Sequence, residues 1–180
     1  MKRIRYGVAM SLDGFIAGPN GEADWIVMDP EVNFAEIWAQ FDTLLMGRIT
    51  YNAAIARLGE SSMRGHKVVI VSRTLKPADH PNATIISEVT PAQPQALRAQ
   101  PDGRPGSFPE KDIWLMGGGK LFHTLLAMHQ VDTVEVSIMP VVLGAGIPLL
   151  PPPAQSAKLK LTSHKIYRSG IVSLGYEVRS

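Results

Sequence analysis

The chain has no cysteine, which excludes disulfides, thiolate nucleophiles, cysteine-ligated zinc and iron–sulfur clusters. Charge of one sign is scarce too. Eighteen basic against sixteen acidic residues give a formal net charge of +2, and no lysine or arginine run exists. A nucleic-acid partner is not expected from such a balance, whereas a slightly basic pocket for a small anion is compatible with it. No apolar run approaches the roughly 18 residues that a membrane-spanning helix requires, so no membrane partner is expected. The N-terminus enters a strand-like segment at residues 3–10 without an apolar leader, and a cytoplasmic protein is the expectation. Metal ligation is also unsupported. The five histidines (His66, His80, His123, His129 and His164) form no ligand-type spacing.

What is present is ordinary for one globular domain spanning residues 1–180: 45% hydrophobic and 19% charged residues over 180 positions. The most informative stretch is Asp112-Ile113-Trp114-Leu115-Met116-Gly117-Gly118-Gly119-Lys120-Leu121-Phe122. A buried strand over 113–116, three bare glycines and a helix with Leu121, Phe122, Leu125 and Leu126 on one side form an anion-binding arrangement. A plain turn needs only one glycine. The segment is neither a Walker loop, since Leu121 follows Lys120, nor the dinucleotide fingerprint, since Phe122 stands at the third glycine position.

Strand signals recur along the chain. Ile4, Tyr6, Val8 and Met10 alternate, followed by a turn-rich loop over 11–21. Asp29-Pro30 predicts a helix start, with Asp29 as N-cap and Phe34, Ile37, Trp38 and Phe41 on one face. Short strands are predicted at 43–46, 67–71 and 83–86, with a helix from Thr50, capped by its hydroxyl, to Gly59. Five prolines and two glycines over 91–109 predict a weak helical turn at 95–99 and then a surface loop. A strand over 133–139, an apolar loop over 140–153 and a hairpin around Ser169-Gly170 complete the chain. The fold class is α/β, with a mixed, mainly parallel central sheet and a C-terminal antiparallel pair.

Three predicted strand ends carry ligand-type residues: Met46-Gly47-Arg48-Ile49-Thr50, Val71-Ser72-Arg73-Thr74 and the glycine segment. Ligands of open α/β sheets lie at such ends. A single arginine there is most often a solvated surface residue; three segments at matching positions point to a phosphate-bearing ligand.

Together with Ser11-Leu12-Asp13-Gly14-Phe15-Ile16-Ala17 and Pro140-Val141-Val142-Leu143-Gly144-Ala145-Gly146, these segments resemble the dihydrofolate reductase superfamily, in particular its riboflavin-biosynthesis reductase branch. The resemblance implies a three-layer fold with helices on both faces of the sheet, and an NADPH-dependent reductase. It places Gly47, Arg48, Thr50 and Gly117, Gly118, Gly119, Lys120, Leu121 and Phe122 along the cofactor phosphates. Ser72 and Arg73 fall at the 2′-phosphate, Ile16 falls near the nicotinamide, and a cis bond is implied between Gly117 and Gly118. Phe34 and Ser137 fall on the substrate side.

For proton handling, spacing does not choose among Asp24, Asp29 and Glu31, and Glu31 and Asp29 are the candidates taken forward; capping is the alternative role of Asp29. Counting back from Ser72-Arg73 puts His66 where folate reductases carry a carboxylate-binding arginine, which counts against dihydrofolate. The expected reaction is hydride transfer to a small pterin- or pyrimidine-like heterocycle. An aminopyrimidine reductase of riboflavin synthesis and a non-catalytic NADP-binding protein are the alternatives. The apolar 140–153 segment, with Val141, Val142, Leu143, Ile147, Leu149 and Leu150, predicts a homodimer.

Overall fold

A computed structural model describes residues 1–99 and 111–179. Its centre is an eight-stranded sheet in the order β5-β4-β3-β6-β1-β7-β10-β9. These strands are β1 (Ile4–Ser11), β3 (Phe41–Gly47), β4 (Lys67–Val71), β5 (Ala83–Ile86), β6 (Asp112–Gly117), β7 (Thr133–Met139), β9 (Lys158–Ile166) and β10 (Val172–Arg179). The first six pair in parallel. The β9–β10 hairpin closes the sheet antiparallel against β7. A separate ribbon pairs β2 (Phe15–Ala17) with β8 (Ile147–Pro148).

The helices are α1 (Phe34–Ala39), α2 (Arg48–Leu58), α3 (Ala92–Ala99) and α4 (Gly119–Ala127). Alternation along the strands divides the core in two. Leu45, Val69, Leu115, Tyr6 and Val134 point to one face, where Leu97 of α3 and Leu121, Phe122 and Leu125 of α4 cover them. Leu44, Met46, Val68 and Ile70 point to the other, beneath Tyr51 of α2 and Trp38 of α1. Helices therefore lie on both faces, and strands buried on both sides read as continuous apolar runs such as Val68-Val69-Ile70. Tyr6 and Phe122 stack at 3.9 Å between ring centres, and burial pushes the Tyr6 phenol far up.

Several expectations are corrected. Helix α1 starts at Phe34 with Asn33 as its cap, and Phe41 belongs to β3. Asp29 caps nothing helical there: its carboxylate accepts the Glu31 N–H (2.8 Å) and the Ser169 N–H (3.2 Å) of the distant β9–β10 turn. Helix α2 begins at Arg48, so Thr50 lies inside its first turn and does not cap it; its end at Gly59, with φ +76°, is as expected. The turn predicted at 95–99 is a full helix from Ala92, and the loop expected beyond it lies outside the described residues. The cis bond of the described chain joins Pro152 and Pro153; Gly117–Gly118 is trans, and its two glycines reverse direction through φ values of +134° and +91°. Among the described residues no helix is long and apolar enough to cross a membrane.

Candidate active site

Helices α2 and α4 follow the neighbouring strands β3 and β6 and leave the sheet in opposite directions. Helix α2 leads outward to β4, whereas α4 crosses over β1 to reach β7. At such a switch point the carboxyl ends of the strands part and leave a crevice. Both helix N-termini open into it. A Cβ built on Gly118 would lie 3.7 Å from Thr50 Oγ1 and 4.0 Å from the Gly47 nitrogen. Neither helix has a side-chain cap, so the first-turn N–H groups remain as donors. The crevice belongs to a cleft of about 1430 Å³.

Gly47, Arg48, Thr50, Ser72, Arg73, Gly117, Gly118, Gly119, Lys120 and Leu121 all line this cleft, as does Ile16. Phe122 does not; its ring is the Tyr6 partner in the core. The Ser72 hydroxyl oxygen accepts the N–H groups of Thr74 (3.2 Å) and Leu75 (3.1 Å), and so shapes the turn that presents Arg73. Among the described residues no carboxylate pairs with Arg48, Arg73 or Lys120.

The loop bearing Ile16 is tied down firmly. The Asp13 carboxylate accepts the Ser11 hydroxyl (2.7 Å) and the N–H groups of Leu143 (3.1 Å) and Gly144 (2.7 Å). The Ser11 bond above all, with those backbone donors, holds the acid at a pKa of about 2. A side chain at Gly146 would overlap the Ala17 carbonyl, which explains that glycine as a packing requirement of the β2–β8 ribbon.

The rest of the cleft lies over β6, β1, β7, β10 and β9, on the face that α1 and α2 leave partly open. Phe34, Ile37, Phe41 and Trp114 form its apolar side. Ser137 is on the floor, 2.9 Å from the Ser173 hydroxyl. Asp29 lines the cleft, but the Ser169 hydrogen bond, then the Glu31 N–H, hold its pKa below the ordinary value. Glu31 is outside the cleft lining and faces Arg168 at 3.6 Å. His66 is also outside it, against Trp38, with Nε2 3.3 Å from the Trp38 carbonyl. The arginine that does reach this part is Arg57, in the last turn of α2, donating to the Ala23 carbonyl (2.9 Å). Its position two residues before Gly59 is visible in the sequence; the chain fold that brings it to the cleft is not. The described residues hold no cluster of metal ligands.

A mostly parallel sheet with a glycine-lined switch point and helices on both faces is the dihydrofolate reductase-like α/β class. Within that class the chain belongs to the RibD C-terminal domain family, whose model matches residues 2–98 and 109–173. It is 33% identical over 186 aligned residues to the uncharacterized protein YyaP of Bacillus subtilis (strain 168), covering 97% of this chain and 94% of that one. Among solved structures, a putative riboflavin biosynthesis protein from Shewanella sp. PV-4 superposes with a TM-score of 0.80 at 19% identity, with 99% of both chains covered. The diaminohydroxyphosphoribosylaminopyrimidine deaminase/5-amino-6-(5-phosphoribosylamino)uracil reductase of Thermotoga maritima superposes with a TM-score of 0.67 at 15% identity. That match covers 99% of this chain and 57% of the longer one.

Proposed function

We propose that the chain is an NADPH-dependent reductase that transfers a hydride to a C=N or C=O bond of a small heterocycle. The carrying observation is the pair of uncapped helix N-termini that meet across Gly118, with Arg48, Arg73 and Lys120 around them and no carboxylate paired to these cations among the described residues. Phosphates are recognised by such N–H groups and by arginine forks. The bare backbone at Gly117 and Gly118, with no heavy atom closer than 3.7 Å to a Cβ built there, leaves room for close approach. The residues present therefore fit NADPH: the two helix starts and Lys120 at the pyrophosphate, Ser72 and Arg73 at the 2′-phosphate, and Ile16 beside the nicotinamide.

The reduced nicotinamide supplies the hydride. The chain's own task is to hold the ring against the substrate and exclude competing geometries. The side chains of Phe34, Ile37 and Trp114 give an apolar wall for a flat ring, and the Ser137–Ser173 hydroxyl pair gives its polar floor. Asp29 and Glu31 do not serve as the acid in this reading. Asp29 is held as an anion by two backbone donors, and Glu31 is turned to Arg168. The proton is assigned to water reaching the open cleft. An aminopyrimidine, such as the substrate named for the Thermotoga relative, fits this wall and floor.

The reading is tested by following NADPH oxidation with 5-amino-6-(5-phosphoribosylamino)uracil and with dihydrofolate. Turnover of the aminopyrimidine well above dihydrofolate is expected. Efficient dihydrofolate turnover would restore folate reduction. NADPH binding without oxidation by either would favour a non-catalytic binder.

A cytoplasmic homodimer also belongs to this proposal, and edge strand β9 is the surface we assign to it. In the 140–153 segment Leu149 and Leu150 pack on the core and Ile147 pairs with β2, whereas Val142 is 65% exposed. A row of exposed apolar side chains lies on edge strand β9, where Leu159, Leu161 and Ile166 are 43%, 50% and 72% exposed beside Tyr176. Such a face is suited to a second copy. Leu161→Glu should convert a dimer to a monomer by light scattering; a monomeric parent chain at micromolar concentration would contradict the assignment.

A further inference from the structure

Strand register lines up one row of residues across the cleft floor: Gly7 on β1, Glu135 on β7, Gly175 on β10 and Ser163 on β9. A single carboxylate thus stands between two glycines, on a strip roughly 10 Å wide at the usual strand spacing. Both glycines are required by neighbours. A Cβ on Gly7 would come within 2.7 Å of Trp114 Nε1, and one on Gly175 would collide with the Ser163 hydroxyl.

Glu135 lines the cleft, whereas Arg5, which holds it, does not. Arg5 Nε donates to Oε1 and Nη2 to Oε2, each at 2.7 Å. The guanidinium is itself fixed by Gln40 (2.9 Å) and by the Phe41 ring, whose centre is 4.7 Å away. Oε1 also accepts the Thr133 hydroxyl at 2.8 Å. Oε2 has Arg5 alone among the described residues. A carboxylate oxygen accepts about two hydrogen bonds, so Oε2 of this cleft-lining residue has one acceptor position without a partner among the described residues. The other carboxylates of the cleft are Asp29, committed to two backbone donors, and Glu88, beyond β5 on the Arg73 side.

We infer that Glu135 determines substrate specificity by accepting an N–H donor, an exocyclic amino or ring N–H group, of the heterocycle in the cleft. The ligand class is a flat ring with an N–H edge; a ring whose edge carries only acceptors would face a carboxylate and be rejected. Arg5 is the positioning residue that keeps Glu135 in one orientation. This rests on the cleft being the reductase site, and the test separates the two statements.

The probes are 2,4-diaminopyrimidine, rich in donors, and 2,4-dimethoxypyrimidine, which has none, titrated calorimetrically with and without NADP⁺. The parent chain should prefer the diamino compound at least tenfold. Glu135→Gln should erase most of that preference, and Glu135→Asp should reduce it, while NADPH affinity stays within about twofold and thermal unfolding shows all variants folded. Equal binding of the two probes by the parent chain, or an intact preference in Glu135→Gln, would overturn the inference. A preference that depends on Glu135 in a protein that does not bind NADPH would uphold the residue's role and remove the reductase reading instead.

Discussion

Gly118→Val should abolish NADPH binding while leaving a folded protein. Gly118 has a φ of +91°, in the region that a β-branched residue adopts only under strain. The backbone cost is about 1–3 kcal/mol, within the reserve of an ordinary domain. The cofactor effect is larger. The new side chain projects between the Gly47 nitrogen and Thr50 Oγ1, into the gap that the two helix N-termini share. Losing access to both sets of N–H donors should weaken binding by at least ~100-fold, equivalent to about 2.7 kcal/mol. Quenching of tryptophan emission by NADPH is the measurement, since Trp114 lines the same cleft. Gly118→Ala separates strain from obstruction, because it shares the backbone cost but adds only one carbon. Normal NADPH binding by Gly118→Val would reduce the glycine run to a turn.

Arg73→Ala should erase discrimination between NADPH and NADH. Ser72 spends its oxygen on the Thr74 and Leu75 N–H groups, so its role is to set the turn and to donate its single hydroxyl proton. Arg73 is then the principal charge at the β4 end, exposed and without a carboxylate partner among the described residues. A charge-assisted contact of this kind contributes roughly 1.5–3 kcal/mol, about ten- to a hundredfold in affinity. The loss should fall on NADPH alone, because NADH has no phosphate there. Equal losses for both cofactors would place Arg73 at the pyrophosphate.

The parts of the molecule carried by local pattern were legible in the sequence. Val68-Val69-Ile70 and Ile113-Trp114-Leu115 read as buried strands because parallel strands are apolar on both faces, and the Ser169-Gly170 turn forms with Gly170 at φ +89°. The glycine run was legible because no other residue crosses that region of φ so cheaply. Long-range contacts were not. Asp29-Pro30 has the local appearance of a helix start, yet the carboxylate's second partner is Ser169, 140 positions away. The Gly7–Glu135–Gly175 row depends on the register of three strands, and nothing in the local pattern around Glu135 marks it. In the apolar 140–153 segment, composition does not say which side chains the subunit itself covers: Leu149 and Leu150 pack on the core, whereas Val142 is left exposed.

Calorimetric titration of the unmodified chain with NADPH and NADH tests the cofactor assignment most directly. One NADPH per chain, bound about ten- to a hundredfold more tightly than NADH, is the expected result. Absence of NADPH binding, or equal affinity for the two cofactors, would contradict it.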